Sequence, residues 1–189
     1  MFTKKVKYDI ISNIKTFKED NRMSYYSKKV QEIRRILATN TYPTEYTPER
    51  WRWCKANCYA YALDIPVSDE KQLIWIPGCI SNEKEEPCIF SGITERLKKD
   101  LEFLGISYRE DNNESKLNEG EWRIAIYYSP TPHDWPIGFH ISRQDIDGIW
   151  SEKPSWKGKV QRIGEKSDNP YDLSKHNLYL EKVLIVSKK

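Results

Sequence analysis

The amino-acid sequence predicts a single α+β domain in which helices precede an antiparallel sheet. Two observations support this class. Apolar residues recur at helical spacing through much of the first hundred residues, and after about position 120 short alternating segments are separated by turn signals. Helical segments followed by strands are typical of α+β proteins. With 189 residues and 38% hydrophobic content, the chain can bury one sizeable core.

Two helices are expected in the N-terminal part. The helically spaced apolar residues are Val6, Ile10, Ile14 and Phe17, and then Tyr26, Val30, Ile33 and Leu37. Ser24 suits the N-cap of the second helix. Residues 40–48 contain two prolines and little periodicity, which favours a connecting loop. We therefore predict a helical extension over residues 1–48 that packs on a core domain over residues 49–189.

The core domain is expected to begin with helices. Residues 51–63 are helical in pattern, and Pro66 prevents the helix from continuing. Pro77-Gly78 is a strong turn signal. A further helix is predicted over about residues 91–104, with Gly105 placed to end it.

The second half of the core domain is expected to be a sheet. Residues 122–128 alternate apolar and polar side chains, and residues 139–143 and 178–186 are strand-like. Asp147-Gly148 is typical of a tight hairpin that leads into residues 149–152.

Composition narrows the function classes. The start of the chain lacks the apolar stretch of a secretory signal and no segment approaches membrane-spanning length, so we expect a cytoplasmic protein with no membrane partner. Four cysteines (Cys54, Cys58, Cys79, Cys88) are then expected as reduced thiols. Glycine is scarce and no phosphate-binding loop is visible, so no cofactor is expected.

Charge is unevenly distributed along the chain. Residues 1–56 hold thirteen Lys and Arg against six Asp and Glu, a net charge of +7, and the rest of the chain is net −4. The basic residues alternate with acidic and apolar ones, which favours solvated helix faces. Trp51-Arg52-Trp53 beside Lys55 could stack bases, but so few residues fit packing better, and nucleic acid is an unlikely partner.

Thiol chemistry is the most specific functional signal. Cys58 follows Asn57, a preferred N-cap residue, and a cysteine at a helix N-terminus is activated because the helix dipole favours the thiolate. The helix could equally extend backwards through residues 51–56. His140 lies in a predicted strand and is the best candidate for the base that takes the thiol proton.

These segments resemble the spaced motifs of bacterial and phage members of the papain-like cysteine peptidase and amidase superfamily. The matching segments are Asn57-Cys58-Tyr59-Ala60-Tyr61-Ala62-Leu63, Pro77-Gly78, Phe139-His140 to Arg143, Asp147-Gly148-Ile149-Trp150-Ser151 and Lys153-Pro154. The resemblance spans about residues 51–186. It implies a Cys-bearing helix packed against an antiparallel sheet that carries the His, and an oxyanion hole that uses the Cys backbone N–H.

Carried onto this chain, the resemblance implies that Cys58 is the nucleophile and His140 the general base, and that Asn57 or a neighbouring backbone amide supports the oxyanion. The substrate is then an amide bond of a peptide or protein, cleaved or transferred through a Cys58 thioester. Glu152 stands where the motif has a second His and is the candidate third catalytic residue. A two-residue turn at Asp147-Gly148 would, however, place Ser151 on the His140 face and Glu152 on the opposite face.

Three alternatives stay open. His133, beside Asp134, is a less favoured base on a loop. A zinc site formed by the four cysteines is disfavoured by their spacing, so no metal is expected. The main alternative function is a catalytically silent papain-like scaffold, encoded by a phage or mobile element, that binds or inhibits a target protein.

Overall fold

Six strands form one antiparallel sheet in the order β1-β6-β2-β3-β4-β5. In the computed structural model the strands are β1 Ile106–Glu110, β2 Glu121–Tyr128, β3 Phe139–Gln144, β4 Ile149–Glu152, β5 Gln161–Lys166 and β6 Tyr179–Lys188. The last strand of the chain lies between β1 and β2 and pairs with both. With the helices described below, this sheet confirms the α+β class.

The structure describes residues 30–35, 38, 45–52, 56–66, 76–81, 92–111, 115–130, 138–155, 157–167 and 169–188. The chain divides into two compact units, residues 1–35 and 36–189. In the first unit residues 30–35 are helical, with Val30 and Ile33 buried, which agrees with part of the second predicted helix. The first predicted helix and Ser24 lie outside the described residues.

Three α-helices lie in the described part of the second unit: α1 Pro48–Trp51, α2 Cys58–Ala62 and α3 Ile93–Leu104. The predicted single helix over residues 51–63 is therefore wrong, because α1 ends at Trp51 and α2 begins at Cys58. Pro48 opens α1, where its fixed φ and missing N–H cost nothing. Asn57 has an extended backbone, with φ −92° and ψ −172°, so a helix from the preceding residues cannot continue through it.

Helix α2 is buried on all sides, as its Cys-Tyr-Ala-Tyr-Ala sequence requires. The Tyr59 hydroxyl donates to Asp100 Oδ2 of α3 at 2.6 Å. The Tyr61 hydroxyl shares a 2.7 Å hydrogen bond with the Ser151 hydroxyl of β4. Trp122 Nε1 of β2 donates to the Ala62 carbonyl at 3.0 Å. Three separate elements thus fix the position of the helix that carries Cys58.

Helix α3 covers the sheet with one apolar stripe and ends where the sequence predicts. Its buried apolar residues are Ile93, Leu97, Leu101 and Leu104. Gly105 takes a left-handed backbone with φ 75°, which closes the helix. Asp100, also buried, accepts the backbone N–H groups of Gly78 and Ser81 at 2.7 Å each, so α3 holds the predicted Pro77-Gly78 turn in place.

The β3–β4 hairpin differs from the predicted two-residue turn. Its loop has three residues, since the Asp145 N–H donates to the Ile149 carbonyl and the Gly148 N–H donates to the Asp145 carbonyl. Gly148 has φ 83°, which completes a type I turn with a glycine bulge. Arg143 consequently pairs with Ser151. A two-residue turn would have shifted this register by one residue.

Strands β1 and β5 were not predicted. Both lie at the edges of the sheet, and β5 buries only Ile163 of its six residues. β5 gives almost no alternation in sequence, and the alternation of β1 is limited to its first four residues.

Candidate functional site

Cys58 is the first residue of α2 and is 1% exposed. The preceding Asn57 caps the helix, because its side-chain oxygen accepts the Ala60 N–H at 3.2 Å. At the first helical position the Cys58 N–H has no acceptor within the helix. The alternative in which the helix extends backwards through residues 51–56 is excluded at Ala56 and Asn57, which are not helical.

His140 lies on β3 with no exposed surface. Its Nε2 is 2.7 Å from Glu152 Oε2 at the end of β4. The second carboxylate oxygen of Glu152 accepts a hydrogen bond from Gln161 Nε2, also at 2.7 Å, from the first residue of β5. Three adjacent strands thus hold a His140–Glu152–Gln161 chain, in which His140 and Glu152 are buried and Gln161 is exposed.

The expected position of Glu152 was wrong, and the hairpin register gives the reason. Arg143 pairs with Ser151 and Gln144 with Trp150. One further step places Glu152 opposite Ser142, on the same face as His140, because side chains alternate along a strand. The single extra loop residue, relative to the two-residue turn, moves Glu152 to the His140 face and Ser151 to the other.

The charge states of His140 and Glu152 follow from the contacts of their side chains. Burial lowers the pKa of His140, but hydrogen bonding and charge interactions with Cys58 and Glu152 outweigh burial and raise it to about 9. Burial raises the pKa of Glu152, yet its hydrogen bond and charge interaction with His140 lower it overall. At neutral pH the buried pair is therefore an imidazolium and a carboxylate, with the Cys58 side chain next to the imidazolium.

The Tyr127 side chain lies beside His140. The two residues pair across β2 and β3, and their ring centroids are 6.2 Å apart. The Tyr127 hydroxyl donates to the Tyr171 carbonyl at 3.0 Å, and burial raises the pKa of Tyr127 to about 12. This phenol therefore stays protonated and contributes an apolar surface and a fixed hydroxyl to the site.

The other predicted site residues have separate places. Ser151 bonds Tyr61 and so supports the helix that carries Cys58, on the sheet face opposite His140. His133, Cys54 and Cys88 lie outside the described residues. His176 is exposed at the end of a 3-10 turn, Ser174–His176, and interacts with the charge of Glu152.

Gln161 is the residue that sequence reasoning missed. It lies on an unpredicted strand, and nothing in its neighbourhood in the sequence marks it as a partner of Glu152. The contact follows from the pairing of β4 with β5, which places Gln161 opposite Glu152.

No group of three His, Cys, Asp or Glu suited to hold a metal ion occurs among the described residues. Cys79, the other described cysteine, is part-buried, and burial together with Asp100 raises the pKa of its thiol to about 12. Within the described part of the chain no helix has the length and apolarity needed to cross a membrane.

Comparison of the chain with known protein families, with curated proteins and with solved structures gives no match. The fold and the site thus define an α+β protein with a buried Cys–His–Glu group, and its function is argued from that group alone.

Proposed function

We propose that this protein is a papain-like cysteine hydrolase or acyltransferase that acts on an amide bond of a peptide or protein. The observation that supports it is the buried group in which Cys58 and Glu152 both interact with the imidazole of His140. A nucleophile, a base in contact with it and a third group that orients the base are the signature of activated-nucleophile catalysis.

In the proposed reaction the Cys58 thiolate attacks the carbonyl carbon, and a C–S bond forms as the C=O electrons move to oxygen. The Cys58 N–H, positioned by the Asn57 cap, donates to this oxyanion. His140 then transfers its proton to the departing amine, the C–N bond breaks and a thioester remains. Glu152 occupies Nε2, so the transferred proton leaves from Nδ1. Water or another acceptor attacks the thioester while neutral His140 takes its proton, and the thiolate is released.

Burial of the site favours the second candidate, a scaffold that binds a target without chemistry. Cys58 is 1% exposed and His140 is fully buried. A substrate carbonyl can reach the sulfur only when neighbouring side chains move apart. A protein that used this buried group only to stabilise its fold would have no need of such an opening.

Alkylation by iodoacetamide at graded pH separates the two candidates, with the modified peptides identified by mass spectrometry. The enzyme proposal expects Cys58 to react at pH 6 at least about tenfold faster than a free thiol, because the imidazolium stabilises the thiolate. Glu152→Gln should slow this reaction, since it weakens the positive charge on His140. Cys79, with a pKa of about 12, is the internal control and should stay unmodified.

A Cys58 that reacts no faster than a free thiol at any pH would overturn the enzyme proposal. A peptide pool digested equally well by wild type and by Cys58→Ser would overturn it independently.

A further inference from the structure

Gln161 binds the carboxylate oxygen of Glu152 that does not contact His140. Glu152 Oε2 lies 2.7 Å from His140 Nε2, and Glu152 Oε1 accepts a hydrogen bond from Gln161 Nε2, also at 2.7 Å. A glutamate side chain has three rotatable torsions, so a bond to one oxygen leaves the carboxylate able to turn away. Bonds to both oxygens from two different strands fix its direction. Gln161 is therefore placed to keep Glu152 directed at His140.

Strand β5 contributes little to the core apart from this contact. It buries only Ile163 of its six residues, and Gln161 itself is exposed. In an antiparallel pair, directly opposite residues point to the same face, with Cβ atoms about 5 Å apart. The pairing of Gln161 with Glu152 thus brings the amide within reach of the carboxylate. An edge strand with so little apolar burial nevertheless supplies the donor for a buried carboxylate.

An irregularity in β5 sets this pairing. Along β4, the partner on β5 moves from Lys166 to Ile163 in a single step, so two residues of β5 are skipped. Without this skip, Glu152 would lie opposite Ile163, whose side chain has no hydrogen-bond donor. Gly164 is one of the skipped residues, and a Cβ there would come within 2.7 Å of the Tyr171 ring. Bulges re-aim side chains and are common next to active sites, and this one places an amide opposite the carboxylate of the site.

An amide suits this position because it donates a hydrogen bond without carrying a charge. A Lys or Arg in its place would compete with the imidazolium for the carboxylate, and an acidic residue would repel it. Burial raises the pKa of the Glu152 carboxyl, but the hydrogen bond and charge of His140, helped by the Gln161 hydrogen bond, lower it overall. Gln161 thus supports the ionised form of Glu152 without adding a competing positive charge.

We propose that Gln161 is a positioning residue that keeps the Glu152 carboxylate directed at His140. It acts through Glu152 and has no part in the bond-making steps. The inference rests on the proposed function only for its effect on Cys58, since Gln161 holds Glu152 with or without catalysis. In the proposed reaction, a fixed Glu152 keeps the imidazolium in place beside the Cys58 thiolate.

The pKa of His140 measures this hold without requiring catalysis. Gln161→Ala frees the carboxylate to turn toward water, so the pKa of His140 should fall by about one unit, a tenfold change in its acid dissociation constant. In a Glu152→Ala protein the same substitution should shift this pKa by less than about 0.3 units, because Gln161 acts only through Glu152. Glu165→Ala, at another exposed residue of β5, is the matched control and should also shift it by less than about 0.3 units.

Nitrogen-15 NMR of histidine-labelled protein gives this pKa from the pH dependence of the imidazole chemical shifts. The chain has three His, and spectra of His133→Gln and His176→Gln proteins identify the His140 signals. Circular dichroism checks that each variant is folded before its titration is compared with wild type.

Alkylation of Cys58 tests Gln161 in the proposed reaction. At pH 6, Gln161→Ala should slow labelling of Cys58 by iodoacetamide about fivefold. Gln161→Glu should be slow at pH 7 and should recover relative to wild type as the pH falls, because the new carboxyl donates a hydrogen bond only when protonated. Each rate is divided by the wild-type rate at the same pH, since the charge of His176 also interacts with Glu152.

An unchanged or raised pKa of His140 in Gln161→Ala would overturn the proposal, because Glu152 would then keep its place without Gln161. An equal fall in the Glu152→Ala background would overturn it as well. A fall that depends on Glu152, in a protein whose Cys58 reacts no faster than a free thiol, would uphold the hold of Gln161 on Glu152 and refute the hydrolase. A Gln161→Glu labelling rate in constant ratio to wild type from pH 5 to 7 would refute the role of Gln161 in the reaction.

Discussion

The pH dependence of stability tests the charge state assigned to His140. The pKa of this residue rises from about 6.5 in the unfolded chain to about 9 in the folded protein. Its stabilising contribution is fully present below pH 6.5 and is lost as the pH rises through 9. The His140 proton alone lowers the free energy of unfolding by at most about 1.4 kcal/mol per pH unit in this window, about 3 kcal/mol in all. A Cys58 thiolate in the folded protein reduces this slope, because the unfolded chain then carries a thiol proton that the folded protein lacks.

Glu152→Gln measures how much of this pH dependence of stability comes from the Glu152 carboxylate. The variant keeps a hydrogen-bond acceptor for His140 but removes the charge. Because burial lowers the pKa of His140, losing the carboxylate should bring that pKa down and flatten the curve between pH 6.5 and 9. At pH 6 the variant should be less stable than wild type by about 2 kcal/mol, and the difference should shrink as the pH rises.

Urea denaturation followed by tryptophan fluorescence measures both curves under reducing conditions, and the chain has seven Trp to report. Glu165→Gln, an exposed glutamate on β5, controls for the loss of one negative charge. Cys58→Ala measures the share contributed by the cysteine. A Glu152→Gln curve that runs parallel to wild type from pH 6 to 9 would refute the assigned imidazolium–carboxylate pair.

Two further predictions concern residues that hold the site in place. Asp100→Asn can keep its hydrogen bonds to Tyr59 and Gly78 but turns its NH2 group toward the Ser81 N–H. It should lower the free energy of unfolding, measured by urea denaturation, by about 2 kcal/mol. The control Glu95→Gln, on the exposed side of α3, should lower it by less than about 0.5 kcal/mol. Gly148→Ala forces a Cβ onto a residue with φ 83° and should lower stability by about 1–2 kcal/mol, with a smaller loss for Gly148→Asn; equal losses would count against the glycine-bulge loop.

The main elements of the core could be predicted because their signals are local. The apolar stripe of α3 and its closing Gly105 lie within a single helix, and the alternation of β2 lies within a single strand. Asn57 and Pro48 also carry local signals, for a cap and for a first helical position. Only the Asn57 signal conflicts with a continuous helical pattern over residues 51–63, and the structure follows the break at Asn57.

The third member of the site could not be predicted because it depends on a loop one residue longer than the sequence indicated. Asp-Gly is compatible with both a two-residue turn and a three-residue loop with a glycine bulge. The two possibilities place Glu152 on opposite faces of the sheet. Gln161 was still harder to predict from the sequence, because its contact with Glu152 requires β4 to pair with an edge strand that buries only one side chain.

The identity of that third member changes what His140 does. A neutral orienting group would lack the charge interaction by which Glu152 helps to raise the pKa of His140 against the effect of burial. Glu152 is an ionised carboxylate at 2.7 Å and, together with Cys58, it keeps the imidazole protonated. A protonated imidazole cannot act as a base toward Cys58. In the proposed chemistry the first proton transfer by His140 is therefore a donation to the leaving amine.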